Sequence, residues 1–217
     1  MMKPTSAFCS AVCCVLSLLI LSCSTQSARA KWEREGDRLE EATRHKKVAS
    51  TFEGFISSPS YRNSRDMLRG AALEQYNPKK SYVEILLGVQ RGRLYINGMI
   101  AMDFPICSGR VGGHETPKGS FRISEKIRDY RSNLYGSFVN SAGKVVKYNV
   151  SASDARPAGT TFRGAEMPYW MRFNGAVGMH VGSVHREGQS HGCVRVPVEA
   201  CEILFNKLAV GSRVIVK

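Results

Sequence analysis

SYVEILLGVQRGRLYINGMIAMDFPICSG, residues 81–109, sets the fold class. It breaks into three short runs rich in β-branched and aromatic residues, SYVEILLGVQ, GRLYING and MIAMDFPICSG, separated by glycine-containing turns. Asn97-Gly98, between LYI and MIAM, is the dipeptide that a two-residue hairpin turn demands, because both central residues of that turn take positive φ. These runs predict antiparallel strands rather than helices.

The same texture continues to the C-terminus. Gly112-Gly113 and Lys118-Gly119 punctuate the chain, SFRIS reads as a further strand, and FVNSAGKVVKYNV as a second hairpin turning at Ala142-Gly143. SRVIVK is a closing strand. Only PVEACEILFNKL, residues 197–208, has helical spacing, with Val198, Cys201, Leu204, Phe205 and Leu208 on one face and Pro197 at its first turn. Residues 81–217 therefore form a mainly β domain with one principal helix.

Upstream the texture differs. Ala11 to Leu21 (AVCCVLSLLIL) is an apolar run behind a weakly positive start at Lys3. Its length suits a signal-peptide core and is short of the ~20 apolar residues of a spanning helix. The run ends in Ile20-Leu21-Ser22-Cys23, which resembles a bacterial lipobox, so residues 1–22 are expected to be a lipoprotein signal and Cys23 the lipidated first residue. A lipoprotein, an ordinary cleaved signal and an uncleaved anchor all place the domain outside the cytoplasm, in the periplasm or cell envelope. Residues 23–80 read as a tether with short helices. KWEREGDRLEEATRHKK is dense in mixed charge, and Met67, Leu68, Ala71, Ala72 and Leu73 cluster at helical spacings before Asn77-Pro78.

Composition narrows the classes. A hydrophobic content of 43% excludes wholesale disorder, and 20 Gly with 8 Pro in 217 residues excludes a collagen-like chain. The formal charge of +13 calls for a polyanionic neighbour. Export argues against nucleic acid and for anionic wall and membrane polymers. Four of the seven cysteines lie in the first 23 residues, leaving Cys107, Cys193 and Cys201. That is neither a disulfide framework nor a pair of zinc knuckles.

The chemistry concentrates in GMHVGSVHREGQSHGCVR, residues 178–195, which holds His180, His185, His191 and Cys193. A cysteine needs a nearby base or positive field to act as a nucleophile at neutral pH. His180 can supply the base if the strand ending there lies beside the turn carrying Cys193. Free backbone N–H groups at the start of the following helix would lower the thiol pKa and form an oxyanion hole. On spacing alone, a thiol nucleophile, a metal site and a structural cluster all stand open.

MHVG followed by SHGCVR resembles the active-site signature of the L,D-transpeptidases, the YkuD-type catalytic domain of bacterial cell-wall enzymes. RLYI with FPICSG, ETPKGSFRI and MPYWMRFNGAVGMH resemble further segments of that family, so the likeness spans residues 82–217. It implies a β-sandwich or barrel with the principal helix after the catalytic cysteine, and it implies roles. Cys193 matches the nucleophile and His180 the general acid/base. His191 and Gly192, with Cys193, match the turn whose backbone binds the oxyanion, and Ser190 would brace it. Arg195 matches a substrate or site-organising position, and Tyr169 and Trp170 the aromatic lining of the acyl-donor path. His180 is followed by Val181 where the family has Gly or Ser, which is harmless if a backbone carbonyl orients the imidazole. No cofactor or metal is implied.

The other candidates have plainer readings. His185 lies in a charged loop and His114 in a turn, while Cys107 and Cys201 read as buried apolar positions. Arg110, Lys118, Arg122 and Arg172 would make a cleft positive if they met there. The activity implied is transfer of a peptidoglycan tetrapeptide donor, through a thioester, to an amine on another stem or on a wall-anchored protein. An L,D-carboxypeptidase or hydrolase using the same residues and a non-catalytic wall-binding module are the competing readings. Only the last conflicts with a Cys–His pair suited to acyl transfer.

Overall fold

The computed structural model describes residues 52–217 together with Arg34 and Arg38, which are helical and exposed. The expected signal, Cys23 and residues 24–51 of the expected tether, Arg34 and Arg38 excepted, lie outside the described residues. The chain divides into two units, Met1–Tyr61 and Arg62–Lys217. In the first, helix α1 (Phe52–Ile56) turns Phe55 edge-on to Tyr61, with ring centroids 5.4 Å apart.

The second unit is two sheets. Strands β1 (Met67–Leu68), β2 (Ser81–Leu86), β3 (Arg91–Ile96), β4 (Met99–Pro105), β5 (Gly119–Arg122) and β11 (Arg213–Val216) form one, in the order β1-β4-β3-β2-β11-β5. Strands β6 (Glu125–Val139), β7 (Val145–Ser151), β8 (Thr161–Asn174), β9 (Val177–Val181) and β10 (Val194–Val196) form the other, in the order β10-β9-β8-β6-β7. The expected hairpins are present. Asn97 (φ 51°) and Gly98 (φ 81°) turn β3 into β4, and residues 140–144 turn β6 into β7. The closing strand β11 runs parallel to β2 and antiparallel to β5, Val214 lying opposite both Val83 and Phe121.

One apolar core joins the two sheets. Val83, Ile85, Leu94, Ile96 and Phe104 from the first meet Met171, Met179, Val194 and Val196 from the second. Helix α3 (Val198–Lys207) closes it with Ala200, Cys201 and Leu204. The expected apolar face of this helix needs one change. Val198, at the first helical position, is 48% exposed, and Ala200 is buried instead. Leu208 packs into the core just past the helix end.

The β unit also begins earlier than expected. Residues 67–73, read as one short helix, split into β1, which pairs antiparallel with β4 (Met67 opposite Asp103), and helix α2 (Gly70–Glu74). The cause is a buried cation. Arg91 and Asp103 are fully buried and joined by Nε–Oδ1 and Nη2–Oδ1 contacts of 2.7 and 2.6 Å. Arg91 also donates to the carbonyls of Ser64 and Arg65 at 2.7 and 3.0 Å, which draws that segment onto the sheet. A buried guanidinium needs this many acceptors to offset its desolvation.

Candidate active site

His180 lies in β9 and Cys193 immediately precedes β10. These strands pair in parallel, with Val194 opposite Met179 and Arg195 opposite His180. Alternate residues share a face of a sheet, so Cys193, two positions before Arg195, falls on the same side as His180. Both open into one cleft of about 590 Å³, which Trp170, Arg172, Ser190, His191 and Arg195 also line.

The histidine is held in one orientation. His180 is 5% exposed, and its Nδ1 lies 2.8 Å from the Val181 carbonyl. A carbonyl only accepts, so Nδ1 carries the proton and Nε2 is left as the acceptor. The orienting group is thus a backbone carbonyl, and the Val181 side chain takes nothing from it. Burial, with Arg195 nearby, pushes the imidazole down to about pKa 4 although the Val181 bond opposes this. It is neutral at pH 7.

The cysteine is a thiol at rest. Cys193 Sγ lies 3.7 Å from the Ala176 carbonyl. Burial raises its pKa, and the Gly178 backbone, Arg195 and Arg172 only partly oppose that. The expectation that a helix start would depress the thiol pKa fails, because β10 stands between Cys193 and the first turn of α3. Cys107 and Cys201 are fully buried. Burial holds Cys201 up at about 12.

The turn before Cys193 is tied down from several sides. Ser190, 2% exposed, donates from Oγ to the Cys193 carbonyl at 2.5 Å and accepts from the Gly192 N–H at 3.1 Å. Gly192 has φ +115°, a conformation that L side chains rarely adopt. The chain after β4 runs alongside. Cys107 and Arg195 exchange backbone bonds of 3.0 and 2.9 Å, and Arg110 donates its N–H to the Ser190 carbonyl at 3.0 Å.

Two expectations about lining residues need correction. Trp170 lines the cleft, stacked on Tyr130 at 4.8 Å and 6.1 Å from the His180 ring, with Arg172 above it at 5.4 Å. Tyr169 does not. Tyr169, with φ +56°, points instead to α3, where it meets Phe205 edge-on at 5.5 Å and Arg128 at 5.1 Å. Of the four basic residues expected to charge the cleft, only Arg172 lines it. Arg110 instead holds His191, its Nη1 3.0 Å from Nε2, and His185 is exposed.

Tyr135 is a lining residue that no sequence motif marks. The pairing of β6 with β8 slips between Arg131 (opposite Glu166) and Gly136 (opposite Gly164), so the residues between them bulge out of the ladder. Ser132 Oγ gathers the Leu134 and Tyr135 amides at 3.2 and 3.0 Å and shapes the bulge. Tyr135 then stacks on His191 at 4.5 Å, while His114 meets the same ring edge-on at 4.9 Å. Ser132 and Gly136 inside a strand-like run were the available signal.

Among solved structures, an L,D-transpeptidase from Stackebrandtia nassauensis is 20% identical, aligns 65% of this chain with 57% of its own, and has a TM-score of 0.47. One from Mycobacterium smegmatis is 17% identical, with 64% and 58% covered and a TM-score of 0.49. One from Enterococcus faecium is 24% identical, with 64% and 50% covered and a TM-score of 0.46. The chain thus spans between half and three-fifths of the length of these proteins. No curated protein matches it. The family model for the L,D-transpeptidase catalytic domain, YkuD, matches residues 80–216. That is well over half of the chain, and the protein belongs to the L,D-transpeptidase catalytic-domain family.

Proposed function

We propose that this protein is a cysteine-dependent L,D-transpeptidase acting on peptidoglycan stem peptides, with Cys193 as nucleophile and His180 as general base and then acid. One observation carries the reading. A thiol and an imidazole with a fixed tautomer share one face at the ends of paired strands, in one cleft.

The chemistry follows from their charge states. Both groups rest neutral at pH 7, so the thiol proton passes to His180 Nε2 as the Sγ–C bond forms at the carbonyl of the donor's L-centre. Negative charge gathers on the carbonyl oxygen. The Gly192 N–H is committed to Ser190 Oγ, which leaves the amides of His191 and Cys193 to face that oxygen. Collapse breaks the C–N bond, and the departing amine of the D-residue takes the proton from His180. An acceptor amine then attacks the thioester, gives its proton to His180, and the C–S bond breaks to restore the thiol. An amine from a second stem gives a 3–3 crosslink, an amine from a protein lysine anchors that protein to the wall, and water gives hydrolysis. Arg172 and Arg195 supply positive charge at the cleft for an acidic peptide. The signal-like run and Cys23 support a lipid-anchored location in the cell envelope, where this substrate is found.

The test is mass spectrometry of intact protein incubated with tetrapeptide stems, alone and with an amine acceptor. A mass increase on Cys193, absent in Cys193→Ala, with product that depends on the amine, is expected. Release by water alone would make the protein a hydrolase. No adduct on Cys193 would overturn the proposal.

A further inference from the structure

We infer that Thr116 is a positioning residue for the oxyanion site, its hydroxyl setting the direction of the Cys193 amide. The inference rests on Cys193 being the nucleophile, as proposed above.

Thr116 lies far from Cys193 in sequence and is 2% exposed. Its Oγ1 accepts from the Gly109 N–H at 2.9 Å and donates to the Gly192 carbonyl at 2.7 Å. These partners allow only one arrangement of the hydroxyl proton, because an amide N–H can only donate and a carbonyl can only accept. The Gly192 carbonyl belongs to the same peptide unit as the Cys193 N–H. That unit is planar and trans, so gripping the oxygen on one edge aims the N–H in the opposite direction. Thr116 is not among the cleft-lining residues and Cys193 is, so the amide is turned away from Thr116.

The neighbouring turn shows how little play this arrangement has. A Cβ on Gly109 would come within 1.9 Å of the His114 carbonyl, 2.7 Å of the Thr116 amide and 2.9 Å of Gly192 Cα. Only a glycine lets the two segments approach closely enough for one hydroxyl to bridge them. Ser190 fixes the preceding peptide through the Gly192 N–H. Successive peptides of the turn are therefore held by two different hydroxyls, one from the turn itself and one from the loop after β4.

The decisive measurement compares two reactions of the same sulfur. Acylation by a tetrapeptide donor or a carbapenem develops an oxyanion, whereas alkylation by iodoacetamide displaces iodide and develops none. Thr116→Val removes the hydroxyl at constant shape. Deleting an oxyanion donor outright costs about 10²–10³-fold, and the amide here is misaimed rather than removed, so acylation should fall by roughly 10- to 100-fold. Iodoacetamide alkylation should be unchanged, and Thr116→Ser should restore acylation. Thermal unfolding of both variants reports whether they fold. If Thr116→Val folds and acylates at the wild-type rate, or if acylation and alkylation fall together, the inference is overturned. Continued acylation of Cys193→Ala would instead remove the proposed nucleophile, which is a distinguishable failure.

Discussion

Burial holds the His180 imidazole at about pKa 4, whereas a histidine in an unfolded chain titrates near 6.5. Between those values the unfolded chain binds a proton that the folded protein refuses, so stability rises with pH. The contribution is complete above about pH 6.5 and is lost as the pH falls toward 4. A gap of about 2.5 pH units at about 1.36 kcal/mol each bounds the loss at about 3.4 kcal/mol, of which roughly 2 kcal/mol is gone by pH 5. His191, lowered by burial and by Arg110, adds with the same sign. Glu115, lowered by its own amide and those of Gly112 and Gly113, adds only below the ordinary carboxylate range. The His180 share is isolated by subtraction against His180→Asn, which keeps an amide donor for the Val181 carbonyl and cannot take a charge. Urea unfolding of both proteins at pH 7, 6 and 5 is the assay. The wild-type curve should converge on or cross that of the variant as the pH falls, the gap changing by about 2 kcal/mol. Curves that stay parallel from pH 7 to 5 would refute the argument that this ring is desolvated.

Because His180 stays neutral down to about pH 4, the acylation rate of still-folded protein should hold from pH 7 to 5 and drop only below that, as stopped-flow measurements with a carbapenem would show. Arg91→Met, which takes a buried guanidinium away from Asp103 and from the carbonyls of Ser64 and Arg65, should destabilise the protein by about 3 kcal/mol or more in urea unfolding. Tyr169→Ala should leave acylation by tetrapeptide near the wild-type rate while lowering the thermal midpoint, since its ring packs on Phe205 and not in the cleft.

What could be read from the sequence was what neighbours along the chain determine. The Asn97-Gly98 turn, the Ala142-Gly143 hairpin and the closing strand follow from local turn chemistry and period-2 patterning, and each is where it was expected. The helix after Pro197 follows from its apolar spacing, with only the exposed Val198 misplaced. Met67-Leu68 is different. Two residues carry no period, and their strand is created by pairing with β4 and by a buried arginine that reaches back 26 and 27 residues. Tyr169 shows that a family resemblance can overreach. Its φ of +56° turns the ring to α3, and Trp170 is the one of the pair that lines the cleft.

The site itself divides along the same boundary. His180, Ser190, Gly192 and Cys193 stand in one short stretch, and the register of β9 with β10 needs little more than that stretch to bring them together. What makes the stretch competent comes from elsewhere in the chain. Tyr135 reaches His191 from a bulge in β6, and Thr116 reaches Gly192 across 76 residues. The thiol's resting state is set by burial and not by the helix that follows it. A motif supplies reactive groups, but their charge states and the aim of their amides are properties of the packed neighbourhood. A transplanted Ser-His-Gly-Cys-Val-Arg turn lacking the Gly109–Thr116 bridge would therefore keep a thiol that alkylates and lose much of its capacity to stabilise an oxyanion.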